Sequence, residues 1–128
     1  MPVLLLVEDH ADTRLMYAEF LREVFEVTEA ADGEEALVCM RERTPDLVIT
    51  DLSLPQINGF ELVERIRRDE ALANVPVICL SGYSDDAHAR KALDAGADRV
   101  LQKPCLPDRL AEAALTLLRH RGTPDSTP

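Results

Sequence analysis

The sequence predicts an α/β fold: one parallel sheet of five strands, doubly wound by helices on its two faces. Two observations carry this reading. Five short apolar runs alternate along the 128 residues with longer segments of helical periodicity, and such a βα string builds a parallel sheet through right-handed crossovers. Most of the runs also lack the in-and-out alternation of a half-wetted strand, as strands covered on both faces do.

The runs occupy residues 3–7, 26–30, 46–50, 76–80 and 99–102. The second alternates more than the others, which predicts an edge position. Between the runs, Met16, Tyr17, Phe20, Leu21 and Val24 fall on one helical face. Ala36, Leu37 and Met40 share another, as do Leu62, Val63 and Ile66, and the stripe Leu110, Ala113, Ala114, Leu117, Leu118 is the clearest. Residues 84–95 offer little beyond Ala89, Ala92 and Leu93 to bury. Asp32 and Asn58 each stand three residues before a Glu, a capping-box start. Ser84, followed by Asp85 and Asp86, reads as a third cap with acids in the first turn. Gly96 suits a left-handed helix stop and Pro107 a first helical turn. Residues 1–121 make one domain, and the Thr-, Pro- and Ser-containing residues 122–128 read as a disordered tail or linker stub.

Composition narrows the function. Hydrophobic residues make up 46%, so a buried core is expected, and the net charge of −10 argues against direct binding of nucleic acid or an anionic membrane. Cys39, Cys79 and Cys105 are odd in number and far apart, so neither a disulfide framework nor a zinc site is signalled. No apolar stretch is long enough to span a bilayer. A cytoplasmic protein is expected.

In an open parallel sheet, ligands bind beyond the carboxyl ends of the strands. The first run is followed by Glu8 and Asp9, the third by Asp51, the fourth by Ser81 and Gly82, and the fifth by Lys103. Any one of these has an ordinary structural explanation; a lone Asp after a strand is more often a turn former. Together they bring three carboxylates, a hydroxyl and an ammonium to one edge. Like charges at short range oppose ionisation, so the cluster calls for a cation, and its hard oxygens favour Mg²⁺ over zinc. A metal, a lysine and hydrogen-bond donors around a carboxylate nucleophile suit phosphoryl transfer.

At this point the chain resembles the receiver domain of two-component response regulators, from Val3 to about His120. The matching pieces are the stretches 5–9, 31–37, 45–55, 58–62, 76–78 and 92–98, and Lys103-Pro104. The resemblance implies a flavodoxin-like receiver fold with strand order 2-1-3-4-5. It implies that Asp51 is the phospho-acceptor and that the Mg²⁺ ligands are Asp9, Asp51 and the Ser53 backbone carbonyl, with Glu8 acting through a metal-bound water. Lys103 and the Ser81 hydroxyl would contact phosphoryl oxygens, Gly82 would leave the approach open, and the Lys103-Pro104 bond would be cis. The implied donor is a histidine kinase or phosphotransfer protein. Movement of Ser81 would reshape the face built from residues 84–121, presented to a downstream protein, a C-terminal output domain or a second copy in a phosphorylation-linked homodimer. Such a domain is a signalling phospho-acceptor rather than an enzyme.

One departure stands out. Where the family often carries Tyr or Phe three residues before the lysine, this chain has Val100. A ring flip there is impossible, so the usual coupling from serine to aromatic is not implied for this chain. Tyr83, two residues after Ser81, reads either as a screen of the phosphoryl group from water or as a partly exposed loop tyrosine. The main alternative is a pseudo-receiver, a binding module of the same fold without phosphorylation, but no acid or lysine of the set is lost. An aspartyl-nucleophile phosphatase would need a general acid where Ser53 stands. A nucleotide or flavin site would need a glycine-rich first turn, which is acidic here.

Overall fold

The computed structural model describes residues 1–121 of the chain; the predicted tail, 122–128, lies outside the described residues. The elements alternate strictly: β1 (Val3–Val7), α1 (Ala11–Leu21), β2 (Glu26–Ala30), α2 (Gly33–Glu42), β3 (Leu47–Asp51), α3 (Gly59–Arg68), β4 (Val77–Ser81), α4 (Asp86–Ala95), β5 (Arg99–Gln102) and α5 (Pro107–Arg121). All strands are parallel, in the order β2-β1-β3-β4-β5. The alternating second run is indeed an edge strand. Asp51 and Ser81 close β3 and β4 as last strand residues, one position inside the expected loops.

The pleat divides each central strand between two cores. Leu4 and Leu6 of β1, with Leu47, Ile49, Ile78, Leu80 and Leu101, face Tyr17, Ala18 and Leu21 of α1 and Leu110, Ala113 and Ala114 of α5. Leu5 and Val7, with Val48, Val77 and Cys79, face α2, α3 and Ala92 of α4. All of β1, β3 and β4 is buried, which is why those runs read as uninterrupted. Each fully buried Leu or Ile contributes about 1.5–3 kcal/mol by leaving water.

Two local expectations are corrected. On α1 the buried residues are Tyr17, Ala18 and Leu21, while Met16, Phe20 and, just beyond the helix, Val24 are exposed. The helix is apolar around much of its circumference, so spacing alone did not single out the inward stripe. At α4 the cap is Asp85, not Ser84: Asp85 Oδ1 accepts the His88 backbone N–H at 2.9 Å. Asp32 and Asn58 cap α2 and α3 as expected, accepting from Glu35 N at 2.8 Å and Glu61 N at 2.9 Å. Gly96 ends α4 at φ 122°. Arg67, near the end of α3, donates to the carbonyls of Gly96, Ala73 and Val75 and to Asp98 Oδ2, which also accepts the Val77 N–H. That clamp fixes the amino-terminal edge of β4 and β5, opposite the end where the acids gather. Among the described residues no helix is long and apolar enough to cross a membrane.

Candidate functional site

Glu8 follows β1 and its backbone N–H still bonds to Ala30 O at 3.0 Å, so the strand geometry carries its side chain inward. It is 1% exposed. A carboxylate so buried is tolerable only when fully partnered. Glu8 Oε1 accepts from Lys103 Nζ at 2.9 Å, and Oε2 accepts the His10 backbone N–H at 3.1 Å, with His10 Nδ1 at 3.4 Å. Arg14 of α1 holds the Glu8 carbonyl at 2.9 Å and reaches Glu29 Oε1 at 3.1 Å, tying this corner to β2.

Asp51, 4% exposed, is held on both oxygens. Oδ2 accepts from Lys103 Nζ at 2.7 Å and Oδ1 accepts the Ser53 backbone N–H at 3.0 Å. Lys103 arrives from the far side of the sheet. Its backbone N–H bonds to Ser81 O at 2.7 Å, and its bond to Pro104 is cis, as the resemblance implied. Burial acts to lower the Lys103 pKa, but the hydrogen bonds and charges of Asp51 and Glu8 outweigh it and hold the ammonium above the ordinary lysine value.

The remaining acid is differently placed. Asp9 Oδ1 is buried and has no hydrogen-bond partner among the described residues; His10 Nδ1 lies 3.4 Å from it. Glu8, Asp9 and His10 each bring a ligand atom within 4.8 Å of the others. With three carboxylates against a single ammonium, a buried oxygen that accepts no hydrogen bond among the described residues, and hard carboxylate donors, the residues fit a small divalent cation such as Mg²⁺.

The structure thus brings Glu8, Asp51 and Lys103 into direct contact, sets Asp9 beside Glu8, and attaches Ser53 to Asp51 through its backbone. Ser81 is buried at the same sheet edge, but its hydroxyl is turned into its own loop. Oγ accepts the Tyr83 N–H at 3.1 Å and donates to Tyr83 O at 3.4 Å. Gly82 is exposed, and a methyl group there would meet nothing within 4 Å. Val100 is half-buried and packs against the α2–α4 side of the core. The Tyr83 ring stacks on His88, with centroids 3.7 Å apart.

Sequence reasoning missed three contributors. His10 was not singled out, although its backbone satisfies Glu8. Gly59 carries no signal in the sequence beyond its place directly after the Asn58 cap. Its N–H bonds to Leu52 O at 2.9 Å, and a Cβ would lie 2.4 Å from Asp51 O, so glycine is what allows α3 to start against the end of β3. Gln56 takes φ 64° in the loop between them, a conformation no residue type announced.

The model of the response regulator receiver domain family matches residues 4–115. The chain belongs to that family. This receiver domain is 38% identical over 128 residues to the transcriptional regulatory protein AfsQ1 of Streptomyces coelicolor, covering 99% of this chain and 55% of that protein. It is 34% identical to the phosphate regulon transcriptional regulatory protein PhoB of Pseudomonas aeruginosa, covering 96% and 54%. The chain therefore spans about half the length of these relatives. The signal receiver domain of a histidine kinase from Syntrophus aciditrophicus has the same fold, with TM-score 0.89, 28% identity and coverage of 100% and 98%. So does the chemotaxis response regulator CheY4 of Vibrio cholerae, with TM-score 0.86, 29% identity and coverage of 91% and 98%. These relatives and the strand order make the chain a receiver domain of two-component signalling.

Proposed function

We propose that this receiver domain accepts a phosphoryl group on Asp51 from a phosphohistidine of a histidine kinase or phosphotransfer protein. The observation that carries this reading is the setting of Asp51, a buried carboxylate at the end of β3, hydrogen-bonded to Lys103 and Ser53 beside two further acids. An Asp51 oxygen attacks phosphorus in line. The new O–P bond forms as the P–N bond breaks, and the electron pair leaves on the donor imidazole, which takes up a proton from solvent. Lys103, already 2.7 Å from the carboxylate, pairs with the oxygens of the incoming group. Ser81 turns its hydroxyl from Tyr83 to another phosphoryl oxygen. Attack of water on phosphorus later releases phosphate and resets the switch.

Mg²⁺ would be held by Asp9, Asp51 and the Ser53 carbonyl, with Glu8 bound through a water. When bound it supplies the positive charge that Lys103 alone does not provide against a dianionic group. The unpartnered Asp9 oxygen supports this assignment.

The output face is residues 84–121, which docks a downstream protein or an attached output domain and pairs with a second copy after phosphorylation. The two named regulators are roughly twice as long as this chain, which supports an attached output segment. The net charge of −10 supports protein rather than nucleic acid or membrane as the direct partner.

The test is incubation with Mg²⁺ and acetyl phosphate, followed by intact mass measurement. One phosphoryl group should add to the parent and none to Asp51→Asn. No addition under any donor would return the chain to the pseudo-receiver reading.

A further inference from the structure

We propose that Tyr83 and His88 form a latch that positions Ser81 and passes its movement to α4, the task an aromatic at position 100 would otherwise perform. The proposal rests on the reading above, in which Ser81 bonds a phosphoryl group on Asp51.

The argument begins with proton counting. A serine hydroxyl has one proton to donate. Here it goes to Tyr83 O at 3.4 Å, while Oγ accepts the Tyr83 N–H at 3.1 Å. The Tyr83 carbonyl has one further donor, Gln102 Nε2 at 3.3 Å. If Ser81 donates to a phosphoryl oxygen instead, Tyr83 loses that bond, and the loop is freed on the side facing the sheet.

Tyr83 is not an isolated loop residue. Its ring lies flat on His88, with centroids 3.7 Å apart and planes within 9°. His88 sits in the first turn of α4 and is fixed to the cap: its backbone N–H donates to Asp85 Oδ1 at 2.9 Å, and Nδ1 lies 2.6 Å from the same oxygen. Beyond it, His88 approaches Phe60 of α3 at 6.4 Å, and Lys91 Nζ lies 4.5 Å over the Phe60 ring. A continuous set of contacts therefore runs from Ser81 through Tyr83 and His88 to the packing of α4 on α3.

The receiving element is weakly held, because Ala92 is the only buried residue of α4. The ring contacts of its first turn are therefore a large share of what ties that end down. Val100, half-buried and without a ring, cannot follow Ser81. Ser81, by contrast, is bonded directly to Tyr83.

The test is hydrogen exchange across α4, with and without acetyl phosphate and Mg²⁺, alongside intact mass. In the parent, phosphorylation should raise exchange of the first-turn amides several-fold. In His88→Ala those amides should exchange faster from the outset and no longer respond, although Asp51 is still modified. His88→Phe keeps a stacking ring and the backbone N–H bond to Asp85 but loses the ring nitrogen's contact with it, so it should restore the response; a role resting only on the contact between Nδ1 and Asp85 would not be rescued in this way. Phosphorylation of His88→Ala with an α4 response equal to the parent's would overturn the latch and leave the function standing. Failure of the parent to gain a phosphoryl group would overturn both.

Discussion

Replacing Gly59 by Ala tests whether the start of α3 is what seats the Asp51 backbone. A Cβ at 59 would stand 2.4 Å from Asp51 O and 2.5 Å from Leu52 Cα. Both are main-chain atoms, so no side chain can swing aside. Ordinary contact distance requires α3 and the end of β3 to separate by about 1 Å. Overpacking of this kind costs about 1–3 kcal/mol, and the gain from Ala in a helix, at most about 1 kcal/mol, is smaller at a first helical position. A net loss of about 2 kcal/mol lowers the melting temperature by roughly 5–10 °C for a domain of this size. Circular dichroism melts and urea titrations read it directly. Gly82→Ala is the matched control: no atom lies within 4 Å of that Cβ, and loss of chain entropy in the unfolded state should leave it neutral or more stable by a few tenths of a kcal/mol. If Gly59→Ala melts with the parent, or if Gly82→Ala falls as far, the close approach of α3 to β3 does not constrain this end of the sheet.

Lys103→Met removes the donor shared by Glu8 and Asp51; urea unfolding should show a loss of about 3 kcal/mol, with added Mg²⁺ restoring part of it. The Asp85 carboxyl lies below the ordinary carboxylate range, held there first by the His88 backbone N–H and then by its ring. A lowered folded-state pKa means the cap acts in full above about pH 4 and is lost as pH falls through the lowered value. Amide exchange in α4 should accelerate at acid pH in the parent and be less sensitive in Asp85→Asn. Burial pushes the Cys79 thiol up to about 12, so iodoacetamide at neutral pH should modify half-buried Cys39 first and Cys79 only as the domain unfolds, read by peptide mass. Arg67→Ala should lose about 2–3 kcal/mol in the same urea assay, because three carbonyls and Asp98 lose a partly buried donor together.

The central strands were legible because burial on both faces writes itself into sequence as unbroken apolar runs; β1, buried throughout, matches its expected limits residue for residue. The gathering of polar side chains at one sheet edge was legible for a related reason. A parallel sheet brings the ends of its strands to one edge, so reading the residue at each strand end was enough to select Glu8, Asp9, Asp51, Ser81 and Lys103. Side-chain direction was harder to read. Leu15, Met16, Tyr17, Ala18, Phe20 and Leu21 give α1 apolar residues on nearly every side, and only the position of α5 decides that Tyr17 turns inward, where its hydroxyl donates to Cys105 O at 2.7 Å. Ser84 and Asp85 are both good caps, and the choice depends on where the loop from Ser81 ends. Arg67 sits among Arg65 and Arg68 and looks like one more solvated arginine. Its role exists only once the chain segments ending at Ala73, Val75 and Gly96 have been folded around it.

The arginine clamp and the sparse packing of α4 give that helix two unequal ends. Its last turn runs into Gly96 and Asp98, both bonded to Arg67 and through it to the start of β4. Its first turn is secured by stacked rings and a surface carboxylate. Were its first turn released, a helix fastened in this way would move as a lever: displacement would grow toward Asp86 and vanish toward Ala95, so a small shift at the sheet edge would become a tilt of the exposed flank about a fixed fulcrum.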